Sequence, residues 1–158
     1  MANTQAMCTS FLGELLTATH NFGTAPTRGS GAADTFKAAL YLTSATINAG
    51  TTAYTVTGEV SGTGYTAGGV TVTNATAPLS SNTSTTAGTA YWTPSASITY
   101  TTVTLTTAFD TVLIYNSTQS DKAVSVHTFG SQTITAGTFT LTMPSNTTST
   151  ALLRLATT

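Results

Sequence analysis

Ionisable side chains are scarce in this chain. Four Lys and Arg, five Asp and Glu and two His stand among 158 residues, so 6% of the chain is charged, against about a quarter in an average globular domain. The four basic residues, Arg28, Lys37, Lys122 and Arg154, are scattered. The sequence shows no basic patch, which argues against a nucleic-acid partner. The single cysteine, Cys8, excludes an intramolecular disulfide framework and reads as a buried free thiol. No apolar run approaches the length of a membrane span, so no membrane partner is expected. The first residues also lack a secretion signal: no positive n-region precedes the only apolar run, and Glu14 interrupts it.

Catalytic patterns are missing too. Neither H-E-x-x-H, G-x-S-x-G, C-x-x-C nor an Asp-rich calcium loop occurs. His20 and His127 and the acids Glu14, Asp34, Glu59, Asp110 and Asp121 are spread along the chain. The expectation is a protein that is not an enzyme and has no cofactor and no metal. Asp121 and Lys122 read as a solvated pair, and His127 as facing solvent or a sheet neighbour.

Threonine takes the place of charge, at about a quarter of all residues. It is β-branched, so it favours strands, and its hydroxyl still meets water. Net charge is −1, so little repulsion keeps copies apart. This composition suits a protein that works inside an assembly.

The length fits one domain. Residues 1–9 read as a flexible N-terminal lead, and residues 10–158 as the folded domain. Phe11, Leu12, Leu15 and Leu16 recur at helical spacing, which predicts a short amphipathic helix over 10–20 with Ser10 as its cap. Pro26, Gly29 and Gly31 predict a loop over 21–33. Alternation predicts a half-buried strand over 35–42 and further strands over 54–60 and 69–76. Residues 76–89, rich in Ser and Thr, predict an exposed loop. Tyr91-Trp92-Thr93-Pro94 predicts an edge strand or the end of a strand, with Trp92 as a core anchor. Residues 98–108 read as a strand whose apolar phase slips at Thr101-Thr102, which predicts a bulge. Residues 112–115 read as a central strand covered on both faces. A polar hairpin turn over 116–121 leads to a strand over 123–129, and two more follow near 137–143 and 151–156. About nine short strands with turns between them predict an all-β, single-domain antiparallel β-sandwich, either jelly-roll or immunoglobulin-like, with one short N-terminal helix.

The most constrained stretch is 59–74. Gly62, Gly64, Gly68 and Gly69 surround Tyr65, and Val70-Thr71-Val72-Thr73 follows in strand phase. A phosphate loop would need a helix after its G-x-G. The strand that follows favours a shaped connection, and Glu59 beside it is placed to bind the amides of that turn.

The residues E-V-S-G-T-G-Y-T-A-G-G (59–69) and I-Y-N-S-T-Q-S-D-K-A-V (114–124) together resemble a family of small virion structural proteins of tailed bacteriophages. The resemblance runs roughly from residue 9 to 156. It departs from the family pattern over 75–99, which is longer and richer in Ser and Thr. The resemblance implies a virion location, with a capsid decoration (cement) protein on the outer surface of the phage head as the leading role. Such a protein would be a homotrimer that bridges and stabilises capsomers of the major capsid protein. Phe11, Leu12, Leu15 and the Tyr65 turn are the expected interaction residues. The alternatives are a portal-side collar, adaptor or tail component, and a surface carbohydrate-binding or adhesive β-sandwich stacking sugars on Tyr41, Tyr65, Tyr91 and Tyr100.

Overall fold

A computed structural model describes residues 3–16, 18–22, 33–74 and 77–156. Among them are one helix and eight strands: β1 (Ala6–Met7), α1 (Thr9–Leu16), β2 (Phe36–Leu42), β3 (Val70–Thr71), β4 (Leu79–Ser80), β5 (Thr89–Trp92), β6 (Ile98–Asn116), β7 (Lys122–Leu141) and β8 (Leu153–Ala156). All pairings are antiparallel. One sheet has the order β1-β7-β6-β2-β3 and the other β4-β5-β8. The all-β, two-sheet, sandwich-like domain is as expected. The strand order, open until now, is set by one long hairpin.

That hairpin is β6 and β7, of 19 and 20 residues. Each merges two of the predicted strands. Threonine, valine and isoleucine supply the β preference. The turn between them closes on Asn116, whose Oδ1 accepts from the backbone N–H of Thr118 at 3.1 Å and of Gln119 at 3.2 Å. Residues 111–116 are buried without interruption, as a strand covered on both faces requires. The register slips between Tyr100 and Val103, and Thr102 takes a φ of 54°, so the bulge lies at the predicted place.

Three more slips follow before Thr111, and together they bend the hairpin. Phe129 and Phe139 lie on the same strand, yet their ring centroids are 5.2 Å apart. Ten extended residues would span roughly 33 Å. The far half of the hairpin therefore folds back over the near half. Phe109, Phe129 and Phe139 close the space between them, with Tyr100 beside Phe139.

Several expectations are corrected. β2 is buried on both faces: Phe36, Ala38, Ala39, Leu40 and Tyr41 are all 0% exposed. It lies between β6 and β3, and the chain around Thr55 to Glu59 covers Tyr41, whose hydroxyl donates to Thr55 O at 2.6 Å. Residues 54–60 do not form a strand. Gly58 turns there with φ of 79°, and the backbone bonds Leu42 N to Gly58 O and Val60 N to Leu40 O tie the segment to β2 beside the Tyr41 hydroxyl. The count falls from about nine short strands to eight, two of them long. Residues 3–8 are not a loose lead. β1 pairs with Ser125 and Val126, Cys8 is fully buried, and Asn3 Nδ2 donates to Leu42 O at 3.1 Å and to Asp110 Oδ1 at 2.8 Å. Residues 1 and 2 lie outside the described residues.

The helix ends at Leu16, and Ser10 does not cap it, since its hydroxyl has no partner. Most of the loop expected over 21–33 lies outside the described residues. The 77–89 segment is exposed as expected, with β4 inside it. Trp92 is the core anchor foreseen. It is 2% exposed, packs on Phe22 at 4.7 Å, and its Nε1 donates to Asn74 Oδ1 at 3.0 Å.

Candidate functional site

Four tyrosines, Tyr54, Tyr65, Tyr100 and Tyr115, gather around the glycine-rich stretch. Glu59 Oε2 accepts from the Tyr54 hydroxyl at 2.6 Å, and its Oε1 accepts from the Tyr65 hydroxyl at 2.7 Å and from Gly68 N–H at 2.8 Å. The carboxylate thus binds an amide of the turn, as its position suggested. Tyr65 Oη also accepts from Leu40 N–H at 3.0 Å. Tyr115 donates to Gly68 O and Tyr100 to Ala38 O, each at 2.8 Å. The rings of Tyr54 and Tyr115 stack at 4.8 Å, and those of Tyr65 and Tyr100 at 5.9 Å. Burial, and for Tyr54 and Tyr65 the hydrogen bond to Glu59, push these phenols up: Tyr115 to about 12, and Tyr54, Tyr65 and Tyr100 higher still. They stay protonated donors. All four hydroxyls are engaged in hydrogen bonds within the group or to the backbone beside it.

The glycines let backbone meet backbone. A Cβ on Gly64, at φ of 78°, would lie 2.2 Å from Thr102 O, the bulged residue of β6. Thr104 N–H donates to Thr63 O at 2.8 Å beside it. The G-x-G therefore seats a turn on a strand, and no helix follows it.

A second polar group ties α1 to the hairpin turn. Glu14 accepts from Lys122 Nζ at 2.6 Å and meets His20 Nε2 at 2.7 Å. Because Asn116 Oδ1 is engaged by the turn, its Nδ2 faces His20 Nδ1 at 3.1 Å and Asp34 Oδ2 at 2.7 Å. His20 Nδ1 must accept, so its proton sits on Nε2 and is given to Glu14. Burial alone would raise the Glu14 carboxyl, but the hydrogen bonds from Lys122 and His20 and the charge of Lys122 outweigh it and hold the group below its ordinary range. Lys122 is thus not simply a solvated partner of Asp121.

No family model, curated protein or solved structure matches this chain. The residues themselves must carry the reading. Of the four expected interaction residues, the structure leaves one plainly on the surface. Leu12 is 44% exposed, whereas Phe11 is 2% exposed and belongs to the core. Leu15 is half-buried and, with Phe11, Phe22, Trp92, Leu153 and Leu155, lines an apolar cleft of about 100 Å³ between helix and small sheet. Tyr65 is half-buried, with its hydroxyl engaged internally. Of the tyrosines offered for sugar stacking, Tyr41 and Tyr100 lie inside the core at 0% and 2% exposure. Alternation could not show this for Tyr41, because both faces of β2 are covered, whereas Tyr100 lies in phase with Ile98 on the buried face of β6, with Thr99 and Thr101 exposed. Tyr54 and Asp34 were missed as members of the two polar groups. Their partners are set by the fold and leave no local signal. Among the described residues, no three His, Cys, Asp or Glu side chains are placed to hold a metal, and no helix is long and apolar enough to cross a membrane.

Cys8 is buried, and burial first and Glu14 second push its thiol up to about 11. His127 sits on β7 opposite Val112 and bonds Ser125 Oγ at 2.9 Å. It lines a cleft of about 120 Å³ with Ile98, Ile114, Phe129 and Leu141, so it is set among apolar side chains and not simply turned to solvent. Burial holds its imidazole down at about 4, against about 6.5 in an unfolded chain. The folded form therefore keeps His127 neutral where the unfolded form takes up a proton. Its contribution to stability is complete above pH 6.5 and is lost as pH falls from there to about 4, up to about 3 kcal/mol in all. Melting curves should show His127→Gln losing less stability than wild type between pH 7 and 4. Parallel losses in the two proteins would contradict this.

Proposed function

We propose that this chain is a non-enzymatic structural protein of a tailed-phage virion, and within it a capsid decoration protein on the outer surface of the head. It would contact the major capsid protein and further copies of itself, bridging and stabilising capsomers. One observation carries the reading. The two stretches that resemble the phage family lie far apart in sequence, yet they interlock: Tyr115 of the second donates to Gly68 O of the first, and Glu59 binds Tyr65 and Gly68 within the first. The characteristic residues are spent on building the fold, which supports a structural role over a chemical one. The low charge supports it further, since many weak contacts multiplied by symmetry can hold a shell without long-range repulsion between copies. Leu12, Leu79 and Leu155, exposed by 44%, 47% and 40%, offer apolar contact area.

Copy number in purified virions, measured by quantitative mass spectrometry against the major capsid protein, tests the proposal. A ratio near parity is expected. A small, ring-sized number would move the protein to the portal-side collar or the tail. Absence from virions would discard the proposal.

A further inference from the structure

The far part of β7 is an unguarded sheet edge. Its inner side pairs with β6 through Tyr100–Phe139, Thr99–Thr140 and Ile98–Leu141. On its outer side β7 has only β1 as a neighbour, at Ser125 and Val126. Beyond these, Cys8 N–H donates to Val124 O and Ala123 N–H to Thr52 O, each at 3.0 Å, and along residues 127–141 no further backbone partner reaches that side among the described residues. Edge strands are commonly blunted by brevity, by charge or by proline. The other sheet edges here follow that rule: β1, β3 and β4 have two residues each, and β8 carries Arg154. The far part of β7 has none of these guards. No ionisable residue stands between His127 and Arg154, and the first proline after β7 is Pro144. Residues 137–143 alternate cleanly. Phe139, Leu141 and Met143 are half-buried inward, and Thr138, Thr140 and Thr142 are exposed.

We propose that this edge is a docking surface for a second copy of the same chain, joined antiparallel about a twofold axis at Thr140. The arrangement sets Thr138 opposite the partner's Thr142, Thr140 opposite the partner's Thr140, and Phe139 opposite the partner's Leu141. The side chains select an identical copy. A threonine hydroxyl both donates and accepts, so a row of them is its own complement. Like charges facing each other would oppose self-pairing, and here there are none. A charged foreign strand would find no counter-charge along these residues. A twofold contact is isologous and closes on itself. It yields dimers, where the family resemblance implies trimers. The inference concerns the isolated chain and does not depend on a virion location.

The test is the mass of the full chain in solution by sedimentation and native mass spectrometry across a wide concentration range. A concentration-dependent dimer is expected. Thr140→Lys places two like charges on the axis and should weaken the dimer at least tenfold, with a melting curve like that of wild type. An equimolar mixture of Thr140→Lys and Thr140→Glu should restore a heterodimer. The proposal is overturned by a wild type that stays monomeric or forms trimers, by a Thr140→Lys dimer as tight as wild type, or by a mixture that fails to pair. Hydrogen exchange on the unmodified chain provides a reading free of any folding defect. Amides of residues 138–142 should gain protection as concentration rises, and protection that does not change with concentration would also overturn the proposal.

Discussion

Gly69→Ala is expected to leave almost no folded protein. Its φ is 70°, and a Cβ there would lie 1.7 Å from Ala38 O and 2.8 Å from the Ala39 Cα. Both neighbours belong to the buried centre of β2, so nothing soft can give way. The left-handed backbone costs an L residue about 1–2 kcal/mol by itself. Displacing β2 adds more, and a total of at least about 4 kcal/mol is a large share of the 5–15 kcal/mol that typically holds a domain. Gly130→Ala is the matched control. The nearest atom to its added Cβ is the flexible end of Gln132 at 4.0 Å, and its stability should be unchanged. Circular dichroism melting of both variants decides the matter. A Gly69→Ala protein that melts like wild type would refute the backbone packing described for this turn.

Glu59→Ala carries the next largest effect. It removes the acceptor of two tyrosine hydroxyls and one backbone amide at once. A buried donor left without a partner costs about 1–3 kcal/mol. Tyr54 and Tyr65 are only half-buried, so water recovers part of the loss, and a net cost of about 3–5 kcal/mol is expected. Glu59→Gln keeps a carbonyl oxygen for Tyr65 and Gly68 and should cost about 1–2 kcal/mol. Denaturant melts should rank wild type above Gln and Gln above Ala. A double-mutant cycle of Glu59→Gln with Tyr54→Phe should show coupling, because both changes act on the one bond at Oε2. Additive losses would mean that the carboxylate is not the centre of the group.

Local pattern revealed those parts of the fold that local forces decide. The slip of apolar phase at Thr101-Thr102 marked a true bulge, the run Val112-Leu113-Ile114-Tyr115 marked a buried strand, and the polar residues after Asn116 marked the hairpin turn. What remained hidden depends on distant partners. β6 read as two strands, 98–108 and 112–115, with Asp110 between them. The continuous strand is explained by Asn3, which lies 107 residues away and satisfies the Asp110 carboxylate. Residues 123–129 and 137–143 read as separate strands, whereas β7 runs through both and folds over on itself. The candidate surface was legible only in part. Helical spacing found the apolar face of α1, but spacing does not say whether the domain or a partner covers it, and Phe11 proved to be core. Tyr65 stood out for its glycine neighbours, and those glycines bring it close enough to Glu59 and β2 to be used internally.

The clasp of Asn3 on Asp110 and of β1 on Ser125 and Val126 also sets an order of events during synthesis. At roughly 5–20 residues per second, the ribosome takes roughly 5–20 s to cross the 107 residues that separate Asn3 from Asp110. The docking edge of the N-terminal strand, Ser125 and Val126, is made after that. β8, which closes the small sheet against β5, is made later still. The native pairings at both ends of the chain therefore form after most of it has been made, and a nascent chain cut short before β7 leaves β1 with no strand to join.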